Sequence, residues 1–201
     1  MTTIESVILD VPDPSAAESF YRAAFGLDTR LGVRASEPPT TGFRGFTLSL
    51  VVGQPSTVDS YVASALDSGA TVLKPVAKSF WGYGGVVQAP DGAIFKVATS
   101  AKKDTGPAVP DVERFVLLLG VQDVKATKRF YVDHGLPVAK SFGSKYVELE
   151  TGKRIKLALY PRRALAKDAG VAGEGSGSHR IVIGSDAGRF TDPDGFEWET
   201  P

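Results

Sequence analysis

The chain is written twice, and this duplication constrains its fold more than any other feature. Residues 7–27 read VILDVPDPSAAESFYRAAFGL, and residues 116–136 read VLLLGVQDVKATKRFYVDHGL. In each, a short apolar strand runs into an aspartate and a Phe-Tyr pair follows. Asp13, Phe20 and Tyr21 thus recur as Asp123, Phe130 and Tyr131, 110 residues on. Each aspartate is placed to N-cap a helix, and Pro14 suits the first helical position, where its missing N–H is no loss. Ala17, Phe20 and Ala24, then Val124, Thr127, Phe130 and Tyr131, fall at helical spacing and make a buried stripe on each helix. Gly26 and Gly135 stand where a left-handed residue would end each helix. Both Phe-Tyr pairs read as core packing.

The closing turns repeat as well. APDG at 89–92 and DPDG at 192–195 put Pro second and Gly fourth, which suits a type I turn, and each leads into a strand, AIFKVA or FEWE. Their offset is 103, so the second copy is shorter between helix and turn. Between the copies, SAKKDTGPAVPD is polar and rich in Gly and Pro. The expectation is two tandem domains, 1–100 and 112–201, joined by a linker at 101–111. Within the first, 45–54, 71–76 and 83–89 are expected strands, and 56–69 an expected helix capped by Ser56 and ended by Gly69. Within the second, 145–150 and 154–160 form an expected hairpin, 162–170 has helical composition and 179–184 is a strand. GEGSGS at 173–178 lacks the Lys and following helix of a phosphate loop, so it reads as a flexible connection.

Lys+Arg and Asp+Glu both number 23, so the formal charge is zero and there is no basic field to hold nucleic acid or anionic lipid. Zero cysteines exclude disulfides, thiolate metal sites and a cysteine nucleophile. The N-terminus lacks a basic region and long apolar core, and no run approaches the roughly 18 apolar residues of a membrane helix. A cytoplasmic protein with no membrane partner is the expectation.

Strand, Asp, helix with Phe-Tyr and Gly-Leu, then a late DPDG strand, twice in order, resemble the vicinal oxygen chelate superfamily. Its members include glyoxalase I, bleomycin and fosfomycin resistance proteins and extradiol dioxygenases. The run SFWGYGGVVQAPDG (79–92) is especially close to the family's penultimate hairpin. The resemblance implies an α+β fold, in which paired βαβββ modules form curved, cup-like mixed sheets with helices outside, in two tandem domains. Both copies are short for that plan. Residues 28–45 leave little room for three strands, and almost none separates the 179–184 strand from the DPDG turn for a helix.

The resemblance also implies where a metal would be gripped: one ligand on the first strand of each module and one on the last. A divalent ion needs several N/O ligands converging from different strands. In the first copy those positions are Ser6, Thr47 and Lys96; hydroxyls are poor ligands unaided and an ammonium repels cations. In the second copy they are Val116, His179 and Glu199, with a residue from IKLALY as the fourth. Two ligands make a weak, incomplete set. Three readings stay open for His179 and Glu199: structural or solvated residues, a weak metal site, or an acid/base pair acting without metal. His134 sits at a helix C-terminus, where the dipole favours a cation.

Alternation puts Ser6, Ile8 and Asp10 on one strand face. Lys96 is expected either to neutralise Asp10 or to be solvated, or else to offer a fixed cation to an anionic ligand. Ser6, Asp10, Thr47, Trp81 and Lys96 are the expected ligand-binding residues, with Phe43, Phe46, Phe80 and Tyr83 among the aromatics near the rim. The leading expectation is a small-molecule binding protein that holds an aromatic or amphipathic compound in a cup between modules, without a catalytic metal or other cofactor. The alternative is a metal-dependent lyase or ring-cleaving dioxygenase using His179 and Glu199. The sequence does not decide whether the chain is an enzyme. It also leaves open a homodimer or a pseudo-dimer within one chain.

Overall fold

The computed structural model describes residues 2–26, 29–80 and 82–201. The first module holds β1 (Ile4–Val11), α1 (Pro14–Phe25), β2 (Leu31–Ala35) and β3 (Thr40–Gly42). The second holds β4 (Phe46–Val51), α2 (Pro55–Asp67), β5 (Thr71–Ser79), β6 (Gly82–Gln88) and β7 (Ile94–Thr99). The third holds β8 (Arg114–Val121), α3 (Val124–Asp133), β9 (Val138–Ser141), β10 (Val147–Leu149) and β11 (Lys156–Pro161). After α4 (Arg162–Ala169) and β12 (Gly175–Gly177) come β13 (Ile181–Ser185), β14 (Phe190–Thr191) and β15 (Glu197–Glu199), the fourth module.

The second and third modules build an eight-stranded sheet in the order β5-β6-β7-β4-β8-β11-β10-β9. The first and fourth build a five-stranded sheet, β14-β15-β13-β1-β2. At the centre of each, two first strands pair antiparallel: β4 with β8, and β1 with β13. In three modules the first strand also runs parallel to its own module's last strand (β4 with β7, β8 with β11, β13 with β15), and β1 runs parallel to β2. Both sheets therefore draw strands from both sides of residues 101–111, so the sequence duplication and the sheets divide the chain differently. A first strand left alone would present unpaired N–H and C=O groups, and pairing with another module's first strand satisfies them. The sequence carries a further sign of this partnership. VAKSF occurs at 76–80, running out of the end of β5, and again at 138–142, running through β9 and one residue past it, at the two edges of the eight-stranded sheet.

The short modules are short as their spacing requires. β2 lies directly beside β1 in the place of a module's last strand, and no helix separates β13 from β14 among the described residues. GEGSGS is not loose: β12 pairs antiparallel with β3.

Helices α1–α3 lie between the inner faces of the two sheets, and one apolar core runs through all three layers. Tyr21 and Phe25 of α1 meet Phe95 of β7 at 5.4 and 4.6 Å, while Tyr131 of α3 meets Trp198 of β15 at 5.4 Å. The repeated Phe-Tyr pairs thus serve the core, and each tyrosine also clasps the repeated turn. Tyr21 Oη donates to Asp91 at 2.5 Å and Tyr131 Oη to Asp192 at 2.6 Å. The turns close as expected, with Gly92 N donating to Ala89 O and Gly195 N to Asp192 O. Gly92 and Gly195 hold φ of 91° and 92°, where a side chain would be strained. The start of α2 differs from expectation. Gln54 is its N-cap without a side-chain bond to the helix, and Asp104 from the inter-copy segment accepts from Ser56 N at 2.7 Å. No helix among the described residues is long and apolar enough to cross a membrane.

Candidate functional site

The core claims Leu48, Leu50, Phe95, Leu117, Leu119, Leu157 and Leu159. Alternation therefore turns Thr47, Ser49, Ile94, Lys96, Val116, Leu118, Lys156 and Ala158 to the outer face of the eight-stranded sheet. Register sets Lys96, Ser49, Val116 and Lys156 in one row across the four central strands. This row crosses the first and last strands on which the resemblance expects metal ligands. It offers two ammoniums, a hydroxyl and a valine, a donor-rich and acceptor-poor set that does not fit a divalent ion.

Helix α4 lies on this face. Its Leu165, Ala166 and Ala169 pack with Phe43, Val86, Ile94, Leu118 and Ala158. Gly170, at φ 81°, ends it. The Arg162 guanidinium ties the helix start by donating to the carbonyls of Phe43 and Gly173. Lys74 Nζ donates to Lys167 O at 2.7 Å near the other end, where carbonyls lack helical partners. Lys96 Nζ meets Asp168 Oδ2 at 2.7 Å, with the two side chains 33% and 42% exposed. Lys96 therefore pairs with Asp168, not with Asp10, and stays partly open to water. Asp10 belongs to the other sheet, where Arg34 Nε donates to it at 2.7 Å.

Beside α4 a hollow of about 340 Å³ remains, lined by Lys74, Ala77, Gly84, Val86, Lys96, Ala98 and Asp168 among others. Gly84 and Ala98 stand opposite each other, so small residues leave the space open. Tyr146 and Tyr160 meet edge to face at 5.2 Å, and Tyr146 Oη donates to Glu148 at 2.8 Å. Burial, then the bond to Glu148, pushes the Tyr146 phenol far above its usual value; burial, then Asp168, raises Tyr160.

The outer face of the five-stranded sheet has Ser6, Ile8, Asp10, Gly32, Val182, Gly184, Glu197 and Glu199. Register aligns Glu199, Gly184 and Ser6. His179 does not join them. Its ring stacks at 3.9 Å on Phe196, a fully buried core residue. Nδ1 lies 2.5 Å from the Arg44 carbonyl oxygen and Nε2 2.9 Å from that of Asp194. Both nitrogens face acceptors, so neither is turned to a cation. Trp198 is buried inward and Glu199, its neighbour, points outward. The expected His179–Glu199 set is thus split between two sides of one sheet. Among the described residues no group of three or more His, Asp or Glu side chains is gathered to hold a metal.

The other expected ligand residues are divided too. Ser6 and Asp10 lie on one sheet, Thr47 and Lys96 on the other, because strands of the first 100 residues enter both sheets. Trp81 lies outside the described residues. His134 stacks on Phe130 at 4.0 Å with Nδ1 near Phe130 O, a helix-end contact. Sequence reasoning missed Lys74 and Asp168; the apolar spacing of Leu165, Ala166 and Ala169 was the available signal that α4 has a face to bury.

No family model and no curated protein matches the chain. Solved structures do. Glyoxalase I from Zea mays is 14% identical over 98% of this chain and 91% of its own, with a TM-score of 0.64. A putative dioxygenase from Bacillus subtilis subsp. subtilis str. 168 is 12% identical over 90% of this chain and 69% of its own, with a TM-score of 0.53. At such identities the likeness is one of fold.

Proposed function

We propose, from the vicinal oxygen chelate fold that the chain shares with glyoxalase I, that the protein binds a small amphipathic molecule without a catalytic metal. The ligand sits in the hollow that α4 leaves on the eight-stranded sheet. The observation that supports this reading is the row Lys96–Ser49–Val116–Lys156, in which two positions where the resemblance implies metal ligands, Lys96 and Val116, carry an ammonium and a valine. Lys96, with Lys74, sets positive charge in the hollow beside the apolar walls of Ala77, Val86 and Ala98, while Lys156 lies outside it, paired with Glu150 at 3.4 Å. The hollow, about 340 Å³, falls within the range of roughly 300–1,000 Å³ usual for small-molecule sites. The first-strand pairings that would join two subunits are made inside one chain, as a pseudo-dimer.

The test is thermal shift on chelator-treated protein against a panel of aromatic acids, amides and alcohols. A ligand at a hundred times its Kd contributes about 2.7 kcal/mol. A shift that survives chelation and is lost in Ala98→Phe, which fills the hollow, is the expected result. Binding that requires added metal, or that persists in Ala98→Phe, overturns the reading.

A further inference from the structure

We infer that the ligand is a carboxylate and that Asp168 is its built-in competitor, holding the anion position at Lys96 until an incoming carboxylate takes it. This rests on the hollow being the binding site. Lys96 and Lys74 both line it, and Asp168 is the acid among the lining residues. Lys74 spends one N–H on Lys167 O and, as an ammonium, has two more to give. The hollow therefore has more cation than its own carboxylate neutralises, and an apolar wall to receive the rest of an organic acid.

Asp168 is placed to yield. The Lys96–Asp168 pair is a third to two-fifths exposed, and ion pairs so open to water are weak. Nor does α4 depend on Asp168 for its seat. Leu165, Ala166 and Ala169 bury its apolar side, Arg162 ties its start, and Lys74 holds the Lys167 carbonyl. The side chain alone has to turn, while the helix stays. Lys96 then exchanges one carboxylate for another, and the ligand's hydrocarbon part covers Ala77, Val86 and Ala98.

The experiment is a titration of 2-naphthoate, with neutral 2-naphthamide beside it, into the wild-type protein, Asp168→Asn, Asp168→Ala and Lys96→Gln. Circular dichroism confirms that each variant is folded, and Asn keeps the shape of Asp should Ala disturb α4. Removing the competitor is expected to tighten 2-naphthoate by about three- to tenfold, and Lys96→Gln to weaken it by a similar factor or more. 2-Naphthamide responds to neither change. If 2-naphthoate binds but the Asp168 variants bind it no better than wild type, the competitor role falls and the small-molecule reading stands. If 2-naphthamide binds as well as 2-naphthoate throughout, the carboxylate preference falls and that reading again stands. If neither probe binds any form, both fall together.

Discussion

The two sheets are built on one plan, yet only one carries a helix on its outer face. On the eight-stranded sheet that face presents Val86, Ile94, Leu118 and Ala158, and α4 covers them. On the five-stranded sheet it presents Ser6, Ile8, Asp10, Gly32, Val182, Glu197 and Glu199, and none of the four helices is laid across it among the described residues. A continuous apolar face needs a helix for cover, whereas a face where carboxylates and a hydroxyl interrupt the apolar side chains can do without one. The comparison also shows what covering costs a binding site. The middle of the larger face packs α4, and the stretch around Lys74, Lys96 and Asp168 beside it stays open.

Alkali tests the layers most severely. All six tyrosines titrate above their usual value, and Tyr21 and Tyr131, between the sheets, do so most strongly through burial and then Asp91 or Asp192. Their stabilising effect is fully present below the unfolded-state value of 10.0 and is lost as pH rises through the raised folded values. Phenolate absorbance at 295 nm is expected to lag beyond pH 10 and then climb together with loss of far-ultraviolet dichroism. Full phenolate formation in a chain still folded would contradict the burial of Tyr131.

Next comes the cover itself. Leu165→Ala in α4 is expected to cost about 2–5 kcal/mol in urea unfolding, the range for a fully buried leucine. Ile8→Ala on the five-stranded sheet's outer face, where the side chain is half-buried, should cost about 1 kcal/mol. Equal losses would mean that the two faces are not differently covered.

The smallest contrast concerns the two residues that looked most like ligands. His179→Ala removes contacts to two backbone carbonyls and a stack on Phe196, an expected loss of about 1–3 kcal/mol. Glu199→Gln should change stability by less than about 0.5 kcal/mol. Elemental analysis of both variants and the parent is expected to give the same metal content. A stoichiometric ion in the parent that vanishes in Glu199→Gln would restore the metal reading.

Much of the fold was legible. Asp13 and Asp123 cap their helices through their side chains, and Gly26 ends α1 in the left-handed conformation. The shortness of the first and last modules also followed from simple counting of residues. The α2 cap was misread because Asp104, its donor's partner, lies 48 residues downstream of Ser56, beyond any local pattern. The site was legible only in part. The sequence points to Lys96 and leaves open Asp10, solvent or an anionic ligand as its partner; the partner is Asp168, 72 residues away on a helix that composition marks without fixing its position.

Capping, turn closure and helical spacing are settled by neighbours along the chain, so the amino-acid order alone determined the repeated strand–helix unit and its PDG turn. Which first strands pair is settled by backbone hydrogen bonds that any two exposed strand edges can make. That choice belonged to the tertiary structure. It sent Ser6 and Asp10 to one sheet and Thr47 and Lys96 to the other, and placed Asp168 against Lys96.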